Sequence, residues 1–345
     1  MSKRRACAFC LAVLASCPAF AQNGAAQSPP DTTIAAQAAP DIGDAAPAQI
    51  VVSGRRPGPG VWKVSKGEHV MWVFGTYSPL PHKMEWDSAR VERLVAASQE
   101  VLLPPTASGH VGFFRGVTLL PSLIGIRKNP DDAQLRDVLP AEVYARWTGL
   151  KQKYDFRDDV ESYRPLFAGG ELLRAAMKKN GLAPSAQVVK AIEAIASKNN
   201  VKLSKSGFEY DVADPRRMIK DFKQSQLDDL ACFSKTLDSL DTDIDAMRMR
   251  ANAWANGDIA EIAKLDYRGR DDACNDAVLN SSVVRNAPEL QDIPGRLRDS
   301  WLKNAEKSLA GNASTFAILQ MKDIVGPAGY LAALQDRGYT VESPR

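Results

Sequence analysis

The stretch from Val61 to Pro105 constrains this chain more than any other. Two runs rich in Val, Trp and Phe, Val61-Trp62-Lys63-Val64 and Val70-Met71-Trp72-Val73-Phe74, flank Lys66-Gly67. β-branched and aromatic runs on either side of a glycine turn predict a β-hairpin. The second run ends in Gly75-Thr76-Tyr77-Ser78, where the backbone leaves the sheet. A helix near Ser88 to Ala97 and a third apolar run, Glu100-Val101-Leu102-Leu103-Pro104, follow. Strands alternating with a helix point to the α/β class, which usually keeps its chemistry beside the ends of such strands.

Downstream the pattern turns helical. Pro140 opens a helix holding Val143, Trp147 and Leu150, with proline at the first helical position. Pro165 to Met177 and Pro184 to Ala196 give two more, and Val201-Lys202-Leu203 with Gly207-Phe208-Glu209-Tyr210 suggests a return toward the sheet. From Ser225 to Asn256, Leu227, Leu230, Ser234, Leu237, Leu240, Ile244, Met247, Ala251 and Trp254 recur at spacings of three and four. That spacing predicts one long amphipathic helix with a break near Asp241-Thr242. The chain closes with a helix from Arg296 to Leu309, a strand at Thr315 to Gln320, a helix from Tyr330 to Leu334 and a strand at Gly338 to Val341. The expected architecture is α/β, with a small mixed sheet built from the two ends and a large helical insertion between them.

Residues 1–21 read as a secretory signal: a basic head with Lys3, Arg4 and Arg5, an apolar run from Ala6 to Ala15, and Ala19-Phe20-Ala21 as the cleavage site. The run is too short to span a membrane. Leu14-Ala15-Ser16-Cys17 also resembles a lipobox, so lipid anchoring at Cys17 is the alternative to a periplasmic or secreted soluble protein. Residues 22–59, dominated by Ala, Pro, Gln, Asp and Gly, bury too little to offset the entropy of ordering and read as a disordered tether, with Ile50-Val51-Val52 as a short edge strand. Residues 60–345 supply the folded domain. The formal charge of +3 comes from Lys3, Arg4 and Arg5; without residues 1–21 there are 41 basic and 41 acidic residues. Nothing in that balance favours nucleic acid or an anionic membrane surface. Of five cysteines, Cys7, Cys10 and Cys17 lie in the signal. Cys232 and Cys274 remain, and an even pair in an exported chain predicts a disulfide, with two buried free thiols as the alternative.

The opening stretch resembles the TraB/GumN family, which includes the Tiki-type metalloproteases. That resemblance implies a Trp-containing strand, a second strand ending in Gly-Thr-x-His, and a third closing on Glu. Further landmarks match: Ala253-Trp254 before Gly257-Asp258, Arg298 before Trp301, a strand into a Gly-x-x-His position, a Gly-rich bend and Gly338-Tyr339-Thr340-Val341. The resemblance covers most of residues 61–342. The frame is present, but its chemistry differs. Ser78 and Asp323 stand at the two histidine positions, Pro104 at the glutamate position and Gln320 at the second motif's glycine.

In the family's metalloproteases the two histidines and the glutamate imply a divalent metal that polarises a carbonyl and activates water. Ser78, Pro104 and Asp323 offer one carboxylate, too few donors for such an ion, so no metal or other cofactor is expected. The chain has three histidines. His69 and His110 read as surface positions, whereas His82, four residues after Ser78, is the best candidate base. A Ser78–His82 nucleophile and base is one alternative chemistry. The candidate catalytic set is therefore Ser78, His82 and Asp323, and the candidate binding set is Gly75, Thr76, Glu209, Arg298 and Gln320. Glu209 falls near a Leu-Glu-Thr segment of the family. The expected function is binding of a peptide, envelope component or partner protein in the inherited cleft; the alternative is a hydrolase with rearranged residues. The cleft test is spatial: whether Ser78, His82, Glu209, Arg298 and Asp323 converge.

Overall fold

The structure, a computed structural model, describes residues 58–344 apart from Lys83, 113–115, 117, Ser185, Gln226, Asp243, 264–267 and 326–328. The signal, almost all of the tether with its edge strand, and most of the Gly-rich bend near 326 lie outside the described residues.

The predicted hairpin is β1 (Val61–Lys66) and β2 (His69–Thr76), antiparallel, with Val61 opposite Phe74 and Lys66 opposite His69. Its two-residue turn places Gly67 at φ 60°, a region glycine enters without a Cβ clash. Leu80–Pro81 forms β3 and Glu100–Leu102 forms β4, separated by the Ala89–Ala96 helix. Ala107–His110 (β5), Leu182–Ala183 (β6), Lys202–Ser204 (β7) and Phe208–Asp211 (β8) come from the middle of the chain. Ser314–Gln320 (β9) and Thr340–Glu342 (β10) come from its end.

The main sheet has the order β10-β1-β2-β9-β4-β7. β10, β1 and β2 run antiparallel, whereas β2, β9, β4 and β7 are parallel neighbours. This is the mixed sheet expected, with a strand from the C-terminal part inserted between two from the N-terminal part. β9 reads as a continuous apolar run because parallel strands are covered on both faces; Phe316, Ala317, Ile318 and Leu319 are all fully buried. Around β2 and β9, Phe74 packs against Trp86, Trp254 and Phe316 with ring centroids 5.9–6.1 Å apart.

The helical insertion has its own core, centred on Trp147 with Phe156 and Phe233. The long periodic segment is helical over Leu230–Thr242 and Ile244–Ala255; Asp243, beside the expected break, lies outside the described residues. Residues before Leu230 do not join them, because Ser225 ends the preceding Pro215–Gln224 helix. Cys232 and Cys274 form the expected disulfide, joining the Leu230–Thr242 and Arg268–Leu279 helices. Inside the insertion the Arg164 guanidinium is 2% exposed and donates to the carbonyls of Phe222, Lys223 and Ser225, the C-terminal end of the Pro215–Gln224 helix. A cation there complements the carbonyl end of the helix dipole.

Two expectations about histidines change. His110 is not a surface loop residue but the last residue of β5, paired in parallel with Asp211 of β8. His69 is half-buried, with Nδ1 2.7 Å from the Asn312 carbonyl, which closes the hairpin turn onto the start of β9.

Candidate functional site

β2 and β9 are parallel and in register, Gly75 opposite Leu319 and Thr76 opposite Gln320. β4 lies on the other side of β9, Leu102 opposite Ala317. The three strands therefore release their chains side by side at one edge. Ser78 follows β2, Pro104 follows β4 and Asp323 follows β9. The sheet thus brings the three motif positions to neighbouring strand ends, which the sequence alone indicated only through the resemblance.

Gly75 and Thr76 shape this edge from within. A Cβ on Gly75 would meet Met321 Sδ at 2.2 Å, and the Gly75 carbonyl accepts from Trp254 Nε1 at 2.6 Å. Thr76, 5% exposed, donates from Oγ1 to the Leu319 carbonyl at 3.1 Å, cross-linking β2 to β9. Ser78 is exposed just past this clasp. His82 is also exposed; its backbone N–H donates to the Gly181 carbonyl at 2.8 Å, beside the β3–β6 pairing that fastens the loop to the insertion. No hydrogen bond joins the Ser78 hydroxyl to the His82 ring.

Gln320 is exposed at the end of β9 and opens the one-turn helix Met321–Ile324. Asp323 on that turn is half-buried. Burial pushes its carboxyl above the usual aspartate value, while Lys322 and the Gln320 backbone N–H oppose the shift. Tyr330, at the start of the Tyr330–Asp336 helix, is half-buried too, and its phenol is pushed up to about 12. Burial is the main cause; the Asp323 charge adds to it and the Arg298 charge opposes it. Tyr330 is thus a neighbour of both. Its ring lies 5.4 Å from that of Trp301, a fully buried residue one turn after Arg298 on the Ile293–Gly311 helix. Tyr330 thus packs on Trp301, one turn from Arg298, and lies within electrostatic reach of Arg298 and Asp323. Tyr330 was missed as a site residue, because a tyrosine opening a helix carries no signal of its own.

Glu209 belongs to different surroundings. It is exposed on β8, in the two-stranded sheet with β5. Lys205 Nζ at 2.8 Å and His110 Nε2 at 2.7 Å hold its carboxyl at about 2. Neither partner is among the residues at the strand ends. A cavity of about 390 Å³ lies in the helical insertion, lined in part by Asn129, Asp131, Val138, Arg164, Asp229 and Leu230. It contains none of the residues singled out from the sequence.

The family resemblance implies a divalent metal, and the donors do not fit one. The three motif positions hold a hydroxyl, a pyrrolidine ring and a single half-buried carboxyl. Among the described residues no three His, Cys, Asp or Glu side chains are grouped to hold an ion. A catalytic site of this kind needs three such ligands and an open position.

Side-by-side parallel strand ends, a C-terminal strand between two N-terminal ones and a helical insertion define a mixed α/β domain. The model of the TraB/PrgY/gumN family matches residues 60–343, and the chain belongs to that family. No curated protein and no solved structure matches it.

Proposed function

We propose that this chain is an exported TraB-type domain that binds a peptide or envelope component at its strand ends and does not cut it. The observation that carries the reading is the donor set. The frame that positions Ser78, Pro104 and Asp323 is intact, yet it offers a metal one carboxyl, itself shifted toward its neutral form. Export rests on the basic, apolar and Ala-x-Ala pattern of residues 1–21, and the Cys232–Cys274 disulfide agrees with an oxidising compartment. Among the described residues no helix is long and apolar enough to cross a membrane.

The test is metal content of the purified protein together with binding and turnover of a peptide library, with Asp323→Ala as control. The expected result is peptide retention with no stoichiometric divalent ion and no cleavage. A stoichiometric ion with cleavage that stops on its removal would overturn the proposal. Cleavage abolished by Ser78→Ala without any ion would favour the hydrolase.

A further inference from the structure

We infer that the strand-end cleft receives a carboxylate of its ligand, with Arg298 as the cation that binds it and Tyr330 as the neighbouring hydroxyl. The inference rests on the cleft being a binding site and names the chemistry of what it binds. Its starting point is an imbalance of hydrogen-bonding groups. The buried side-chain polar atoms without a partner among the described residues are Arg250 Nε, Arg298 Nε and Trp301 Nε1. All three are N–H donors. A guanidinium is always charged and has only donors, and an indole has one donor and no acceptor. Leaving such groups buried and unpaired is unfavourable, because they lose water and gain no partner.

Two of the three donors sit together. Arg298 and Trp301 are one turn apart on the Ile293–Gly311 helix, so both face the segment that carries Asp323 and Tyr330. Other arginines nearby are engaged. Arg296 donates to the Glu289 carbonyl at 2.8 Å and lies 4.1 Å over the Phe208 ring, and Arg337 pairs with Glu306 at 2.8 Å. Arg298 has neither an ion pair nor a hydrogen bond among the described residues. Arg250 repeats the pattern on the other flank. It lies one turn before Trp254, whose indole donates to Gly75, on a helix that packs along β3 just after Ser78.

An occupant that satisfies these groups must bring acceptors and negative charge. An ionised carboxylate has only acceptors, and its two oxygens match the edge of a guanidinium in a bidentate pair. A doubly charged phosphate fits less well, because the Asp323 carboxyl lies within electrostatic reach of Tyr330 and like charges repel. A neutral or cationic group would leave the donors as they are.

The experiment measures binding of tetrapeptides labelled at the N-terminus, each as free acid and as C-terminal amide, to the full mature protein. A galacturonate oligosaccharide and its methyl ester distinguish a sugar carboxylate from a peptide one, and inorganic phosphate is added as competitor. The acid of at least one pair is expected to bind about tenfold or more tightly than its neutral form. Arg298→Gln should abolish that preference and Arg298→Lys retain part of it, because lysine keeps the charge but not the fork. Equal binding of acids and neutral forms, or displacement by phosphate as effective as by carboxylate, overturns the inference and leaves the cleft reading standing. Absence of binding by every probe overturns both. The acid-to-neutral ratio is read on the unaltered protein, so it decides even where a variant fails to fold.

Discussion

The two edges of the main sheet treat their polar groups in opposite ways. At the edge where the parallel strands begin, Glu100 opens β4 and is 8% exposed. Its carboxylate accepts from Lys202 Nζ at 2.9 Å, Ser204 Oγ at 2.5 Å, Ser308 Oγ at 2.7 Å and Asn312 Nδ2 at 3.0 Å. Burial alone would raise the pKa of Glu100, and these four donors outweigh it and hold it at about 2. At the edge where the same strands end, Arg298 Nε and Trp301 Nε1 have no partner among the described residues, and burial raises Asp323 despite the Gln320 N–H. A saturated network clamps elements; an unsaturated one costs stability unless something else completes it. The contrast assigns the first edge to structure and supports the proposal that the second meets a ligand.

The largest expected effect tests the first half of that contrast. Glu100→Ala removes one carboxylate and leaves four donors facing each other, one of them an ammonium. The loss should be roughly 3 kcal/mol or more, measured by urea denaturation at pH 7. The pH dependence carries the same information. The folded pKa is depressed from about 4.5 to about 2. The contribution is therefore full above about pH 4.5 and is lost as pH falls through about 2. Its size is about 3 kcal/mol at 1.36 kcal/mol per pH unit. Glu100→Gln should flatten this part of the acid limb. An unchanged acid limb would mean that the clamp is not where the stability lies.

How far the sequence discloses these two edges differs as well. The hairpin, β4 and the apolar β9 are legible from composition, because β-branched and aromatic runs bounded by Gly and Pro have few other fates. The helical character of Leu230–Thr242 and Ile244–Ala255 is legible from the spacing of the apolar stripe. The Pro215–Gln224 helix is not, although Asp214 caps it with its side chain on the Arg217 N–H and Pro215 opens it. Its apolar stripe is short, Met218, Ile219 and Phe222 set among charged residues within ten positions. The Glu100 clamp escapes for another reason: its donors come from four positions between 102 and 212 residues away. No local pattern encodes such a meeting. The strand-end positions Ser78, Pro104 and Asp323 are legible only through the family frame, and the nearness of Tyr330 to Arg298 and Asp323 only through the packing of three separate segments.

A smaller effect tests the second edge. Asp323→Asn keeps the acceptor that faces the Gln320 N–H and removes a charge that burial disfavours. Because the folded pKa lies above the ordinary value, the ionised carboxyl works against the fold at neutral pH, and wild type recovers that stability as pH falls. The variant should be more stable than wild type by up to about 1 kcal/mol near pH 7, with the gain vanishing in acid. Such a gain is the behaviour of a residue kept for something other than stability. A loss of 2 kcal/mol or more, on the order of a buried structural hydrogen bond, would place Asp323 with Glu100 instead.

The smallest effect separates a strong pKa shift from a strong contribution. Glu209 and Glu100 are both held at about 2, yet Glu209 is exposed and its partners Lys205 and His110 stand in solvent with it. Water and salt screen such pairs, and holding long side chains in one geometry costs entropy. Glu209→Gln should leave the denaturation midpoint within error of wild type, and adding salt should alter both proteins alike. If Glu209→Gln instead destabilises as much as Glu100→Gln, burial is not what separates the two carboxylates. The β5–β8 sheet would then count as part of the clamp rather than as a separate charged surface.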